Sequence, residues 1–523
     1  MKTIEIPAFG EARFEAHDTD RQNIVYTISD AEETLFDSYA ELFVRHGFAM
    51  RERRERENYR YAAYFDGTDA YFLNYYAGVK ELMIIAEHET AYFSYNDQPG
   101  ETVCTPQVTQ VKLEDYGMSY AIRLSDRRFI VIDGGWAMKD ACDNLYECLT
   151  EDTNGEKPVI AAWILTHPHP DHYHCFDYFM ERHENDVIVE KVMFNFPEYD
   201  DLEHYPHLTE SASANTDTSA YVHVPILLAR LEKLGAPVYK LHTGQVYRIG
   251  DAVCEILVSM DDTIHLSQNL NAISVVIRME LAGQVILWTT DASFSIARIP
   301  EKVGSYLKSD ILQIPHHGFQ MGLAPAEIDG YRLIAPRVCF LPVSDINAYS
   351  AFCTHREGTA FLMTDEGVEE ILTGEVRHTI DLPYTPPKGS KHVLREKFLV
   401  GRDTCGSCSW IFCGLSTDRP EDLVFSILNT EYVKTTVTVE LFFEKKGQLI
   451  RYLSTEVLGA TFHELDLLGE EVNGDFPTRN PSGKRIRDLP PNTKFAIRFL
   501  SKLPIVVWHP DHKPAYVGSA GHI

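Results

Sequence analysis

Three features are scarce or missing in this sequence of 523 residues: long apolar runs, clustered cysteines and an excess of basic charge. No segment approaches the roughly 18 uninterrupted apolar residues that a transmembrane helix needs. The opening residues, MKTIEIPAFGEARFEAHD, lack the apolar core of a secretory signal. The 10 cysteines are scattered, unlike those of a secreted disulfide scaffold. We therefore expect a cytoplasmic protein with reduced thiols and no membrane segment.

The charge balance narrows the class of partner. The chain has 48 basic and 77 acidic residues, a formal net charge of −29. Such a chain repels a phosphate backbone, so stable nucleic-acid binding is not expected. Bound metal cations would still attract an anionic small molecule, so the expected partner is a small or anionic substrate. A homo-oligomer is also compatible with this composition.

Composition and periodicity divide the chain into three predicted domains. Residues 1–100 combine an amphipathic helix with tyrosine-rich strands and predict a small α+β domain. Residues 105–385 alternate strands with helices, which is typical of sheets covered by helices. A Pro- and Gly-containing linker occupies 385–390. Residues 390–523 are β-rich, with clean alternation in VKTTVTVELFF (433–443), and predict an all-β sandwich.

The first predicted domain carries three local signals. Residues 29–32 (SDAE) have the form of a capping box before a helix. The strands YRYAAYF (59–65) and AYFLNYY (70–76) are separated by an Asp-Gly pair, which predicts a hairpin. The charged run RERRERE (51–57) predicts a solvated loop.

One short stretch carries most of the chemical information. Residues 165–176 read LTHPHPDHYHCF and contain an HxHxDH pattern. A strand places residues i and i+2 on one side, so His167 and His169 can reach one metal. The turn that follows can direct Asp171 and His172 to a second point. These ligand types suit zinc, iron or manganese. The alternatives are a surface loop with histidines, or a structural zinc site, which usually has four ligands and often cysteines.

Three further strands end in groups that can bind or orient a metal. FIVIDGG ends in Asp133 and two glycines, and VILWTTD ends in Asp291. DILQIPHHG contains His316 and His317. Folds with helix-covered sheets place their sites where strand ends gather at one edge. We therefore expect these groups to meet the HxHxDH stretch.

Together these motifs resemble the metallo-β-lactamase superfamily over roughly residues 105–385. The HxHxDH pattern in a strand-to-helix turn, after an Asp-Gly-Gly strand, carries the resemblance. NAISVV from Asn271, WTTD, DILQIPHHG and FLMTDEG (361–367) are similar to the hydrolase domain of competence-type DNA-uptake proteins and its soluble relatives. The resemblance implies an α/β fold, an αββα sandwich, with metal-dependent hydrolase activity. Without membrane segments, DNA transport is excluded.

The resemblance also implies metal ligands by position. His167 and His169 would hold metal one, and Asp171 and His172 would hold metal two. Asp291 would bridge both metals. The expected cofactor is zinc, one or two ions per chain, with manganese or iron as alternatives.

Four residues have implied roles around these ligands. His317 is favoured over His316 as the last ligand of metal two, and His316 would orient the site or touch substrate. Asp133 would support the cluster from behind. Many relatives supply a further histidine to metal one, but here no such match is found and Asn271 stands near that place. A second departure is Tyr173-His174, where a glycine-rich continuation is usual.

The implied reaction uses a metal-bound hydroxide, oriented by Asp171 or Asp291, on a phosphodiester or other anionic small substrate. His174, His204 and His207 are candidates for the proton donor. One alternative is a hydrolase of amide, lactone or thioester bonds. Another is a non-catalytic, metal-containing binding protein. A basic cleft lining would favour the phosphodiester, and an apolar lining would favour the acyl substrates.

A second copy of the letters His-Pro-Asp-His occurs at 509–512. Val507 stands where the pattern would need another histidine, and Lys513-Pro514 follows instead of an amphipathic helix. These differences predict coincidence and not a second metal site.

Overall fold

A computed structural model divides the chain into two compact units, residues 1–345 with 357–390, and residues 346–356 with 391–523. The structure describes residues 6, 13–18, 23–88, 96–113, 117–153, 155–197, 214–266, 270–319, 323–344, 348, 357–388, 407–429, 435–443, 448–457, 462–467 and 492–518. The three predicted domain limits stay predictions.

The first unit begins with six antiparallel strands. They are β1 Arg13–Asp18, β2 Asn23–Ser29, β3 Ala49–Glu55, β4 Tyr59–Phe65, β5 Ala70–Tyr76 and β6 Glu81–Glu87. The strand order is β1-β2-β6-β5-β4-β3, and β4 and β5 form the hairpin that the Asp-Gly pair predicted. Helix α1, Glu33–Arg45, packs on one face through Phe36, Tyr39 and Phe43. The predicted α+β character is therefore confirmed.

Two local predictions in this region are wrong. The capping box does not form: α1 follows Glu32, whose side chain makes no capping hydrogen bond. The charged run is not a loop, because residues 49–55 pair with β4 as the edge strand β3. The mixed charge of this run correctly indicated solvent exposure, but it gave no information on backbone hydrogen bonding to a neighbouring strand. Charged side chains on an edge strand also discourage pairing with other chains.

Two sheets follow in the same unit. The first contains β7 Gln107–Gln110, β8 Ser119–Arg123, β9 Phe129–Asp133, β10 Val159–Ile164, β11 Ile188–Val189, β12 Val192–Phe194 and β13 Val238–Lys240. The second contains β14 Val246–Ile249, β15 Ala252–Val258, β16 Val276–Leu281, β17 Gln284–Trp288, β18 Ile311–Gln313, β19 Val338–Leu341 and β20 Glu370–Thr373, and β21 His378–Asp381 returns to the first. The orders are β13-β12-β10-β9-β8-β7-β21, with β11 beside β10, and β14 through β20 in sequence.

In the described part of the chain, helices accompany these sheets. They are α2 Lys139–Thr150, α3 Pro170–His183, α4 Ala214–Leu234, α5 Met260–Thr263, α6 Ile299–Val303, α7 Ala324–Ile334 and α8 Glu357–Thr364. One core lies between the sheets and contains Ile132, Ile164 and Trp288. Another lies under α2, α3 and α4 and contains Phe176 and Phe179. The fold is the expected αββα sandwich. None of the described helices is long and apolar enough to span a membrane.

The second unit is an antiparallel β structure. Its strands are β22 Ser407–Ser416, β23 Val424–Asn429, β24 Thr435–Phe443, β25 Gln448–Val457, β26 Phe462–Asp466, β27 Lys494–Trp508 and β28 Tyr516–Gly518. The long β27 pairs with β22, β23 and β24. Phe412, Phe425 and Phe499 form an aromatic core. In β24, Val437 and Val439 are buried, as the alternating pattern predicted.

Candidate metal centre

Four strand ends bring the candidate residues together. β9 and β10 are parallel neighbours in one sheet, and β17 and β18 are parallel neighbours in the other. Their carboxyl ends lead to Asp133, His167, Asp291 and His317. Contacts of Asp133 with His172, and of Asp291 with His167 and His317, join all four ends, so the predicted convergence at one edge is observed.

The backbone between β10 and α3 sets the direction of the motif. His169 precedes α3 with extended backbone, and Pro170 is the first helical residue, where proline's fixed φ favours helix initiation. The carbonyl of His172 accepts hydrogen bonds from the N–H groups of Gly134 and Gly135, at 2.8 and 2.9 Å. The Asp-Gly-Gly strand end therefore holds the first turn of α3 in place.

Asp291 lies at the middle of the cluster. Its Oδ2 lies 3.3 Å from His172 Nε2, 3.5 Å from His317 Nε2, 3.7 Å from His167 Nε2 and 3.9 Å from His316 Nε2. Its Oδ1 is buried and has no hydrogen-bond partner among the described residues. A buried, unpartnered carboxylate oxygen is costly unless something else binds it.

The donor atoms form two overlapping groups. His167, His172 and Asp291 make one group, and Asp171, His172 and His317 make the other. Within each group the donor atoms lie within 4.8 Å of one another. Asp171 Oδ2 is 3.1 Å from His317 Nε2, which matches the preference for His317 over His316. The roles of these residues as ligands stay predictions.

Asp133 fixes the orientation of His172. Its Oδ2 accepts hydrogen bonds from His172 Nδ1 at 2.8 Å and from the Thr166 hydroxyl at 2.7 Å, while its Oδ1 accepts from the Thr166 N–H at 2.9 Å. The Trp163 indole N–H donates to the Asp133 carbonyl at 2.9 Å. A proton held on Nδ1 leaves Nε2 free to face the centre. Sequence reasoning missed Thr166 and Trp163; the position of Thr166 directly before the motif was the available signal.

Asn271 connects the two remaining imidazoles. Its Oδ1 lies 3.2 Å from His167 Nε2, and its Nδ2 donates to His316 Nε2 at 3.1 Å. His316 and His317 both have left-handed backbone, with φ of 48° and 53°. This uncommon conformation turns successive histidines toward different parts of the same centre. The sequence showed the His-His-Gly letters but not this geometry.

The structure gives less information on four other predicted histidines. His169 lies beside His167, with ring centroids 4.8 Å apart, but belongs to neither donor group. Its role at metal one stays a prediction. His174 is partly buried against Tyr173, with centroids 4.7 Å apart. His204 and His207 lie outside the described residues.

Electrostatics keep the carboxylates ionised. Burial alone would raise the pKa of Asp171, but His172 and His317 lower it well below its usual range. Burial acts in the same direction on Asp291, and the neighbouring imidazoles again lower its pKa. Burial would lower the pKa of His172, yet Asp291, Asp171 and Asp133 raise it well above the ordinary value.

The other imidazoles differ in charge: His317 is protonated at neutral pH, whereas His316 and His167 are neutral. Burial opposes protonation of His317, but Asp291 and Asp171 raise its pKa to about 9. Burial lowers the pKa of His316 to about 4, and it also lowers that of His167. Protons on imidazoles therefore balance the carboxylates, and a metal cation can take the place of such protons.

These donors fit divalent metal ions. Imidazole nitrogen and carboxylate oxygen are borderline and hard ligands that suit zinc, manganese and iron. The Asp291 Oδ1 atom and the two donor groups around His172 could provide the coordinating atoms. Asp133 orients one of these histidines through its hydrogen bond with His172 Nδ1, as the partners of metal-binding histidines usually do.

The second His-Pro-Asp-His stretch is built differently. His509, His512 and Asp422 also bring their donor atoms within 4.8 Å of one another, which sequence reasoning did not foresee. However, Arg419 donates to Asp422 Oδ1 at 2.6 Å. His509 Nδ1 accepts hydrogen bonds from the N–H groups of Asp511 and His512, both at 3.1 Å. The carboxylate already has a cation, so this cluster does not fit a metal ion.

Comparison with known proteins agrees with the fold. Residues 114–257 match the family described as Metallo-beta-lactamase superfamily, so the chain contains a domain of that superfamily. The matched segment includes Asp133 and the HxHxDH motif. Most members of this superfamily are hydrolases. The comparison with curated proteins gives no match. Closeness to the competence-type proteins stays a prediction.

Solved structures also match parts of this chain, at low identity. The metallo-beta-lactamase fold protein YhfI from Bacillus subtilis is 15% identical, with a TM-score of 0.32, covering 53% of this chain and 100% of that chain. A beta-lactamase domain protein from Burkholderia ambifaria is 13% identical, with a TM-score of 0.25, covering 41% and 69%. The Anabaena sensory rhodopsin transducer is 19% identical, with a TM-score of 0.16, covering 20% and 84%.

Proposed function

We propose that this protein is a metal-dependent hydrolase that cleaves a phosphodiester or another small anionic substrate. One observation carries the proposal: Asp291 Oδ2, which follows β17, lies between 3.3 and 3.9 Å from four imidazole nitrogens, two of them after β10 and two after β18. Asp171 adds a second carboxylate on the His317 side. A structural zinc site usually closes with four ligands, whereas this cluster offers more donors than one closed site needs.

Bound divalent cations would lower the pKa of water and polarise an oxygen atom of the substrate. The protein's own residues prepare for this chemistry. Asp133 keeps a proton on His172 Nδ1, which leaves Nε2 directed at the centre. Asp171 and Asp291 remain ionised and would orient the attacking water by accepting its hydrogen bond. His316 has 21% of its side chain exposed, so it is placed to orient the substrate.

The two donor groups support a pair of metal positions, and Asp291 Oδ2 lies close to both groups, 3.7 Å from His167 Nε2 and 3.5 Å from His317 Nε2. His167, Asn271 and Asp291 would belong to metal one, together with His169. Asp171, His172 and His317 would belong to metal two. We propose zinc at both positions, with manganese and iron as alternatives. The amide oxygen of Asn271 beside His167 also supports the competence-type relationship, in which asparagine is found near this place.

A second candidate is hydrolysis of an amide, lactone or thioester. Apolar side chains near the centre support it. Trp136 is partly exposed, and both its Cδ1 and the Asp171 carbonyl lie close to Gly117. Met138 is 43% exposed on the same loop, and the Phe319 ring is 5.6 Å from that of His316. Such a border would accommodate an acyl chain better than a bare phosphate.

Metal analysis combined with a substrate panel tests these candidates. The panel contains bis(para-nitrophenyl) phosphate, para-nitrophenyl acetate and a chromogenic lactam. We expect bound metal and turnover of the phosphodiester, and we expect His169→Ala to abolish the turnover. Faster turnover of the ester or lactam would favour the second candidate. Bound metal without turnover of any substrate would favour a non-catalytic binding protein. Turnover that survives His169→Ala would contradict the metal mechanism.

A further inference from the structure

Strand β6 carries glutamates at both of its ends, and both are buried against the sandwich. Glu81 and Glu87 are 9% and 6% exposed. Their spacing puts them on the same face of the sheet as Met83 and Ile85. Tyr306 of the sandwich packs against this face, while the opposite face packs on α1. Buried carboxylates of this kind need charged or hydrogen-bonding partners.

The first partner is His242, which follows β13 on the metal-site side of the first sheet. His242 Nε2 lies 3.2 Å from Glu87, and its Nδ1 donates to Asp261 at 2.8 Å. The ring also stacks on Phe72, with centroids 5.0 Å apart. Burial alone would lower the pKa of His242, but Asp261 and Glu87 raise it to about 10. The imidazole is therefore a buried cation between two carboxylates.

The second partner is Lys302 at the end of α6. Its Nζ lies 2.9 Å from Glu81 and 3.2 Å from Asp262, and it also sits 4.8 Å from the centre of the Tyr76 ring. Arg298 adds a further contact to Glu81 at 3.2 Å. Each end of β6 is thus joined through one buried cation to one of two consecutive aspartates.

Those two aspartates belong to α5, the short helix nearest to Asn271. Ser259 begins α5 with a capping box in which Asp262 takes part, and Asp261 also accepts a hydrogen bond from Asn195 at 3.3 Å. Helix α5 packs against the turn Leu270–Ile273 in the same core. That turn carries Asn271, whose amide lies between His167 and His316.

The N-terminal sheet, β1 to β6, and the αββα sandwich meet at a close-packed contact, called the seam here. Its packing restricts movement of the sheet relative to the sandwich. Gly244 has φ of 93°, and a Cβ there would collide with the Tyr61 ring. Asn74 Nδ2 donates to the Thr243 carbonyl at 3.1 Å. Backbone approach of this kind is a reason for glycine at such a position. The seam therefore has the rigidity that positioning a distant side chain requires.

We propose that the N-terminal sheet, β1 to β6, supports the metal centre. Two buried chains of ion pairs, called relays here, hold α5 in place and thereby position Asn271. The relays are Glu87–His242–Asp261 and Glu81–Lys302–Asp262. Both act through other residues, so Glu87 and His242 are positioning residues and touch neither metal nor substrate. This inference rests on the proposed function.

Zinc affinity of the full-length protein tests the relay. Glu87→Gln neutralises one end of it, and we expect the more weakly bound zinc to lose about tenfold in affinity, as for other residues that support metal ligands. The control is Glu255→Gln. Glu255 is buried in the same seam and accepts a hydrogen bond from Tyr59, but the relays do not include it. We expect it to lower the melting temperature of the zinc-free protein without changing zinc affinity.

A double-mutant cycle separates positioning from general stability. In an Asn271→Ala background, Glu87→Gln should cause no further loss of zinc affinity. If Glu87→Gln does not fold, His242→Gln replaces it with the same expectations. Wild-type affinity in the folded relay variant, or fully additive losses in the cycle, would overturn the inference alone. A wild-type protein with no zinc affinity would overturn the proposed function and this inference with it.

Discussion

The letters His-Pro-Asp-His occur twice in this chain, and the two copies differ in which imidazole nitrogen meets a buried carboxylate. In the first copy, His172 Nδ1 donates to Asp133, so Nε2 is free to face Asp291. In the second copy, His512 Nε2 itself lies 2.9 Å from Asp422. Nε2, the candidate metal-binding nitrogen of the first copy, is therefore already engaged by a carboxylate in the second.

The two copies also differ in the cations that balance their nearby carboxylates. Asp171 and Asp291 are balanced by imidazoles, whose protons a metal ion can displace. Asp422 is balanced by the guanidinium of Arg419, which cannot be deprotonated in a protein. Four matching letters thus produce a candidate metal site only where the chain also provides an orienting acceptor and removable protons.

The largest expected effect comes from replacing the last histidine of the first copy. His172→Ala removes the imidazole shared by both donor groups, so we expect loss of metal and a fall in kcat/KM of about 10³-fold or more. Metal content and hydrolysis of the most active panel substrate are the measurements. His512→Ala is the matched control and should leave both unchanged. Equal losses in the two variants would contradict the distinction between the copies.

A smaller effect is expected when only the orientation of His172 is disturbed. Asp133→Asn replaces the carboxylate that accepts from Nδ1, and a residue in this role typically contributes about 10- to 100-fold in metal affinity. Metal affinity can be measured by competition with a chromophoric chelator. Asp126→Asn is the control, because Asp126 is also largely buried but pairs with Arg128 away from the centre. Unchanged affinity in Asp133→Asn would remove the orienting role of this residue.

Much of the fold and the metal centre could be predicted because strand periodicity and strand-end residues are local signals. β10 reads as a buried apolar run, and its end places His167 beside the other strand ends. The HxHxDH stretch also coincides with the start of α3, and Pro170 allows the turn to be predicted from the sequence alone.

Contacts between distant segments could not be predicted in the same way. Nothing around Asp422 points to His512, which lies 90 residues later and meets it only through strand pairing in the second unit. The relay from Glu87 to His242 likewise depends on a face of one sheet meeting another. Edge strand β3 was mistaken for a loop because charge patterning reports exposure and not hydrogen-bond pairing.

Asp422, the carboxylate that contacts the second copy, should matter for stability and not for hydrolysis. Burial would raise the pKa of Asp422, but hydrogen bonds from Arg419 and His512 lower it. A depressed carboxyl pKa stabilises the fold above the unfolded value near 4 and loses that contribution as pH falls further. Asp422→Asn should therefore cost about 2 kcal/mol at neutral pH, and the difference from wild type should shrink in acid. Thermal unfolding followed by circular dichroism across pH measures this, and a pH-independent difference would contradict it.

The smallest expected effect decides why the second copy does not fit a metal. Arg419→Met removes the competing cation but leaves His509 unchanged. Because two backbone N–H groups donate to His509 Nδ1, the ring must carry its proton on Nε2 and cannot offer a lone pair there. Only Asp422 and His512 then remain as donors, too few for a stable site. Calorimetric titration with zinc should give the same stoichiometry for Arg419→Met and wild type. An additional equivalent of zinc in the variant would show that the guanidinium alone keeps the metal out, and that the two copies differ by one charge rather than by the protonation of a ring.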